Sequence, residues 1–319
     1  MAVHAFLFPG QGSQAPGMAK DLATAFPAAR EVLQEVDDAL GQHLSRLMAE
    51  GPAEELTLTE NAQPALLAHA MAVVRVLERD GGKTVAGTAA VVAGHSLGEY
   101  AAIAAAGGFA LADAARLLRL RGQAMQRAVP PGVGAMAALL GADLEQAAEV
   151  CAEAAATPEG GREVIGVAND NGGGQVVISG HAGAVDRAIE IAKAKGIRRA
   201  MKLPVSAPFH CALMAPAADA MAEALARIPP RAPLVPIVAN VTAAKVTQPA
   251  EIARLLLEQV TATVRWRESI LAMGALGVDS FVELGSGKVL AGLMKRLLPD
   301  AKAVSAGTPA EVEDLMKIL

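Results

Sequence analysis

Short runs of uninterrupted apolar residues alternate along the chain with stretches of three-and-four periodicity, and glycine-rich polar turns separate them. Ala5-Phe6-Leu7-Phe8 is the first run, and it breaks at Pro9-Gly10-Gln11-Gly12-Ser13-Gln14. A run without polar alternation predicts a strand covered on both faces, the habit of parallel sheets. Helical periodicity dominates from about Met18 to Glu50 and from Gln63 to Arg79, and Asp80-Gly81-Gly82-Lys83 reads as a turn. Residues 85–93 read as a strand feeding Gly94-His95-Ser96-Leu97-Gly98, with an alanine-rich helix after it. A further helix is expected over about Leu111–Arg127.

Beyond Pro130 the pattern changes to strand 133–140, helix 143–156, strand 164–168, turn 169–174, strand 175–179, helix 182–195 and strand 199–205. That order, β-α-β-β-α-β, is ferredoxin-like. Pro130-Pro131 and Pro204 mark its two ends. Val205-Ser206-Ala207-Pro208-Phe209-His210 then leads into a helix near Ala212, and Leu234–Ala239 is another strand, followed by Asn240. The predicted fold class is α/β, a hydrolase-like body with a parallel sheet and a nucleophile elbow, plus an inserted ferredoxin-like small domain. The body takes residues 1–130 and 205–319, and the small domain residues 131–204.

Composition narrows the classes. At 319 residues, 53% hydrophobic but only 3% aromatic, the chain can build an ample core from Ala, Val and Leu. A net charge of −5 argues against a dedicated nucleic-acid binder. Cys151 and Cys211 stand far apart, in no metal-like spacing, which fits a reducing compartment. The amino terminus lacks the positive start of a signal peptide, and the apolar runs Val85–Gly94 and Ala101–Ala112 are too short to span a bilayer. A cytoplasmic protein with no membrane partner is expected.

Gly94-His95-Ser96-Leu97-Gly98 is a G-x-S-x-G turn between strand and helix. Glycine is needed on both sides of the serine, because a Cβ there would collide with the neighbouring strand and helix. Such a turn exposes the Ser96 hydroxyl over unpaired helix amides that can bind a developing negative charge. The same letters also fit a plain glycine-rich turn that happens to contain serine. Arg121 has Leu117, Leu118, Ala124 and Met125 on its own helix face. An inward guanidinium needs a partner, so it pairs with a structural carboxylate, lays its stem on apolar surface with its head in water, or holds a charged ligand.

Of six histidines, His4, His43, His69 and His181 lack polar company, and His95 beside the serine would diverge from it. His210 is placed at a strand end and helix start, where a helix amino terminus disfavours imidazolium and leaves the ring able to accept a proton. Gly285-Ser286-Gly287-Lys288 resembles the tail of a phosphate loop, but Val282 stands where the first glycine belongs and Val289 where a Ser/Thr would bind magnesium. No metal, nucleotide or other cofactor is expected.

Taken in order, Pro9–Gln14, Gly94–Glu99, Arg121, Pro208-Phe209-His210 and Gln259 with Trp266 resemble the malonyl-CoA:acyl carrier protein transacylases of bacterial type II fatty acid synthesis, over essentially the full chain. The resemblance implies malonyl transfer from coenzyme A to the acyl carrier protein through a malonyl-Ser96 intermediate. It makes Ser96 the nucleophile and His210 its general base. The amides of Leu97 and Gln11 would form the oxyanion hole, Arg121 would hold the malonyl carboxylate, and Gln259 would orient His210 through its main-chain carbonyl. Phe209, with bulky Leu97, implies unsubstituted malonyl. Thr263, Gly173 and Ser286 stand where the family often has proline. An acidic carrier needs a basic face, and Lys193, Lys195, Arg198, Arg199 and Lys202 form one basic stretch, Lys295-Arg296 another. A thioesterase would share the elbow but steer its histidine with an acidic residue, and a non-catalytic docking module would not need Ser96, His210 and Arg121 together.

Overall fold

A computed structural model describes residues 2–319. Its strands are β1 (His4–Phe8), β2 (Ala89–Gly94), β3 (Gly134–Leu140), β4 (Ile165–Gly172), β5 (Gln175–His181), β6 (Arg199–Lys202), β7 (Ile237–Val238), β8 (Lys245–Val246), β9 (Ser280–Leu284) and β10 (Lys302–Ala306). Six of them form one sheet in the order β10-β9-β1-β2-β7-β8, parallel except for the β8 edge. Ala5 to Phe8 are buried without exception, as a strand sandwiched by helices requires. The chain is a hydrolase-like α/β protein with an inserted ferredoxin-like sheet. That second sheet runs β4-β5-β3-β6, wholly antiparallel, with helices Leu144–Ala154 and Ala182–Ala194 packed on one face.

Several boundaries depart from the sequence expectation, each for a local reason. The stretch 18–50 is three helices, Lys20–Ala25, Pro27–Leu40 and Leu44–Glu50, divided at Phe26-Pro27 and at Gly41 in the left-handed region. The next long helix begins at Thr59 rather than residue 63, so the polar residues ahead of Gln63 form its first turn. Residues 85–88 are a helical turn, because the Thr84 hydroxyl accepts from the Gly87 amide, and β2 starts only at Ala89. Asn169-Asp170-Asn171 lie within β4, with register shifts at Val167/Asn169 and Asp170/Gly172, rather than in a turn. The strand expected over 234–239 shrinks to Ile237-Val238. Among the described residues no helix is long and apolar enough to cross a membrane.

The edge of β4 not paired with β5 is joined to the body. Asp170 N donates to Val264 O at 3.0 Å, Val264 N to Ala168 O at 2.8 Å, and Thr263 Oγ1 to Val167 O at 2.6 Å. Arg267 Nε adds a 2.7 Å ion pair to the buried Asp170 carboxylate.

Candidate active site

Loops at the carboxyl ends of β1, β2 and β9, with residues from both sheets, surround a cavity of about 380 Å³. Gln11, Ser96, Arg121, Phe209 and His210 line it. Ser96 sits at the elbow with φ 53°, a left-handed conformation that a tight strand-to-helix reversal imposes. The flanking glycines are sterically required. A Cβ on Gly94 would lie 1.9 Å from Gly98 O, and one on Gly98 would lie 2.2 Å from Phe8 O.

Ser96 Oγ is 2.7 Å from His210 Nε2, and His210 Nδ1 is 2.8 Å from the Gln259 main-chain oxygen. A neutral acceptor at Nδ1 fixes the tautomer that leaves Nε2 free to take the serine proton. His210 also has a positive φ, 59°, and it follows an irregular loop of several residues after β6 rather than a strand end. Its basicity is set differently from the helix-dipole expectation. Burial first, and the Arg121 charge second, bring its pKa down to about 3.

Arg121 is 1% exposed, which rules out a head in water. Among the described residues no carboxylate lies within 4 Å of it, which rules out a direct structural ion pair. Its guanidinium instead meets neutral groups. Nη1 donates to Gln63 Oε1 at 2.9 Å, and Nη2 donates to Gln259 Oε1 at 2.8 Å and to Ser96 Oγ at 3.2 Å. Nε has no acceptor among the described residues, and the cation lies 5.7 Å from the Tyr100 ring centre.

The main-chain amides of Leu97 and Gln11 donate to no acceptor among the described residues. The neighbouring amide of Ser96 is taken by Asn240 Oδ1 at 2.8 Å. Leu97 contributes no side chain to the cavity, because its isobutyl group is buried in the main core, whereas Phe209 does line the cavity beside His210. His95 turns away from Ser96, bonding Asn171 Oδ1 at 2.9 Å and tilting against the Trp266 ring.

Sequence reasoning passed over a second tier of polar residues. Glu99, Asn240, Gln63 and Asn171 are all buried, in apolar or turn-like surroundings. Gln259 Nε2 donates to Glu99 Oε2 at 2.5 Å and to Ser96 O at 3.0 Å. Asn240 Nδ2 donates to Gly94 O at 2.7 Å. Burial pushes the Glu99 carboxyl up to about 7, against the pull of Gln259, Asn240 and Arg121.

The residues at family-proline positions have local roles. Thr263 bonds β4, Ser286 Oγ donates to Ser13 O at 2.6 Å, and Gly173 holds φ 58°, which no proline ring can reach. Behind the phosphate-loop-like turn, the Glu283 carboxylate accepts from the amides of Leu290 and Ala291 at 3.1 and 2.8 Å, so an internal anion fills that helix start. Among the described residues no group of three His, Cys, Asp or Glu could hold a metal ion.

Comparison with known proteins adds a third line. The family described as acyl transferase domain matches residues 5–312. The malonyl CoA-acyl carrier protein transacylase of Escherichia coli K12 is 46% identical over 318 residues, 100% of both chains. That of Bacillus subtilis is 45% identical over 313 residues, 98% of this chain and 96% of the relative. The crystal structure of an acyl-carrier-protein-S-malonyltransferase from Bartonella henselae superposes with a TM-score of 0.95 at 53% identity, covering 99% of each chain. A malonyl-transacylase solved in complex with its type II polyketide acyl-carrier protein gives a TM-score of 0.94 at 41% identity, covering 100% of each.

Proposed function

The chain belongs to the malonyl-CoA:acyl carrier protein transacylase family, and we propose that Ser96 carries the malonyl group from coenzyme A to the phosphopantetheine thiol of the acyl carrier protein. One observation carries the substrate choice. A malonyl group has its carboxylate two bonds from the carbon under attack, so its anchor must stand beside the nucleophile. Arg121 Nη2 is 3.2 Å from Ser96 Oγ. The guanidinium holds only neutral acceptors, which a carboxylate displaces in favour of a two-pronged, charge-assisted pair.

The reaction runs in two halves. Ser96 Oγ attacks the thioester carbon while His210 Nε2 takes its proton. The oxyanion is met by the free amides of Leu97 and Gln11, donors already in place. Collapse expels the coenzyme A sulfur, which takes the proton from His210. The carrier thiol then gives its proton to the same nitrogen, attacks the acyl-serine, and Ser96 leaves reprotonated. The imidazole, steered by the Gln259 carbonyl, starts each half neutral. The thioester supplies its own driving force, so transfer needs no cofactor, and the cytoplasm is where both thioester and carrier would be met.

The structural division we favour is a body of residues 1–130 and 205–319 with an insert of 131–204, supported by two sheets that share no strand. For carrier docking, Lys193, Lys195 and Lys202 are held by Glu190, Glu153 and Asp186. Arg198, Arg199, Lys295 and Arg296 have no ion pair among the described residues. Lys295 and Arg296 lie in the last turn of the helix Val289–Leu297, whose first two turns line the cavity.

Incubation with malonyl-CoA alone, followed by intact and peptide mass spectrometry, tests the core of this. A malonyl increment on the Ser96 peptide, absent in Ser96→Ala, is expected. An adduct elsewhere would overturn the nucleophile, and hydrolysis as fast as acylation would make the protein a thioesterase.

A further inference from the structure

Gln259 touches His210, Arg121 and Ser96 at once, and its side chain can satisfy them in only one orientation. Its main-chain oxygen accepts from His210, while its side-chain Oε1 accepts from Arg121 and its Nε2 donates to Ser96 O. A carboxamide is nearly symmetric in shape. Flipped, it would aim an NH2 group at the Arg121 guanidinium, donor against donor, and leave the buried Nη2 with the longer bond to Ser96 Oγ alone. Something must break the symmetry. Glu99 does so together with the Ser96 carbonyl, because an ionised carboxylate oxygen 2.5 Å from Nε2 accepts from an amide nitrogen but repels an amide oxygen.

Glu99 has no other strong bond among the described residues. Its remaining partner is the Asn240 amide, 3.4 Å from both oxygens. Glu99, Gln259, Asn240 and Arg121 are all buried, so water cannot replace any of these contacts. Glu99 also follows Gly98 at the start of the elbow helix, which fixes its backbone by the close approach of Gly98 to Phe8.

We propose that Glu99 is a positioning residue for malonyl selectivity: it locks the Gln259 carboxamide so that Oε1 faces Arg121 and holds the guanidinium beside Ser96. The proposal rests on the role given above to Arg121 as the carboxylate anchor. Glu99 acts through an amide rather than by direct pairing. A carboxylate placed directly on Arg121 would compete with the substrate for the same fork, whereas a neutral amide oxygen holds the fork in place and gives way.

The readout is the ratio of kcat/KM for malonyl-CoA to that for acetyl-CoA, with holo carrier as acceptor. Misfolding cannot move this ratio, since both thioesters report on the same folded population. Glu99→Met, unbranched and without an acceptor, should lower the ratio about ten-fold, chiefly through the KM for malonyl-CoA. Glu99→Gln keeps an acceptor for Nε2 and should preserve most of the ratio. If Glu99→Met does not accumulate as folded protein, Gln259→Met substitutes for it. That change keeps the main-chain carbonyl at His210, removes the side-chain link, and should reproduce the loss. Arg121→Ala separates the two levels. If it lowers the ratio while Glu99→Met or Gln259→Met leaves it unchanged, the positioning role is overturned. If Arg121→Ala leaves the ratio intact, the anchor itself has been misassigned.

Discussion

The turn after β2 and the turn after β9 are built alike. Both leave strands that flank β1 in the parallel sheet, both are rich in glycine, and both open a helix at the same sheet edge. One is tied to the end of β1, through His95 N to Phe8 O at 3.0 Å, the other to the loop after it, through Ser286 Oγ to Ser13 O. They differ in what meets the helix amides. After β9 the Glu283 carboxylate, from the strand itself, occupies them. After β2 the amide of Leu97 is left vacant, and Asn240 takes only that of Ser96. A glycine-rich turn becomes a reaction site when the fold withholds an internal acceptor and supplies a base instead.

Three substitutions probe that contrast. Gly98→Ala forces a methyl into the Phe8 carbonyl at 2.2 Å, so the elbow must move. We expect a loss of about 3 kcal/mol in denaturant unfolding and roughly hundred-fold in malonyl transfer per folded molecule. Glu283→Gln should cost about 1–2 kcal/mol by unsatisfying a helix amide, with transfer per folded molecule unchanged; a loss of transfer would show that the two turns are not independent. Gly287→Ala meets only Ser13, at 3.5 Å, and should cost about 1 kcal/mol through its positive φ alone. A cost equal to that of Gly98→Ala would erase the distinction.

The smallest expected effect concerns pH. With His210 near 3, kcat/KM for malonyl-CoA should show no inflection assignable to this ring around 6.5. An acid limb centred there, lost in a His210 variant, would place the ring in contact with water. Stability responds oppositely to the base beside one turn and the carboxylate behind the other. The unfolded chain protonates His210 below about 6.5 while the folded one does not, so that contribution is complete above 6.5 and falls as pH drops towards 3. Glu283 is raised by burial, so its contribution is complete below the ordinary carboxylate range and falls as pH rises through it.

Much of this was legible in the sequence because it is periodic or steric. Uninterrupted apolar runs gave the central strands, and the insert's element order followed from where periodicity changed. The elbow was readable because two glycines and a serine have one geometric use. Four apolar helix neighbours pointed Arg121 inward, but whether its head met a carboxylate, water or a ligand stayed open. What stayed hidden depends on partners distant in the chain. Asn169-Asp170-Asn171 look like a turn because their side chains are polar, yet Asp170 and Asn171 answer Arg267 and His95 across the structure. Glu99 and Gln63 are single polar residues on otherwise apolar faces, and only the fold shows whom they address. The sequence puts His210 on a strand end because an irregular loop, here ending in a positive-φ residue, has no sequence period.

The stitching of β4 to residues 263–267 has a mechanical consequence. The segment that carries the histidine's carbonyl partner runs directly into the seam that holds the insert's outer strand. One wall of the cleft is therefore hemmed to its floor a few residues from the catalytic ring. Guests of different breadth must be accommodated by rearranging side chains at the rim, since swinging that wall aside would unpick the hem and pull on the proton-transfer partner with it.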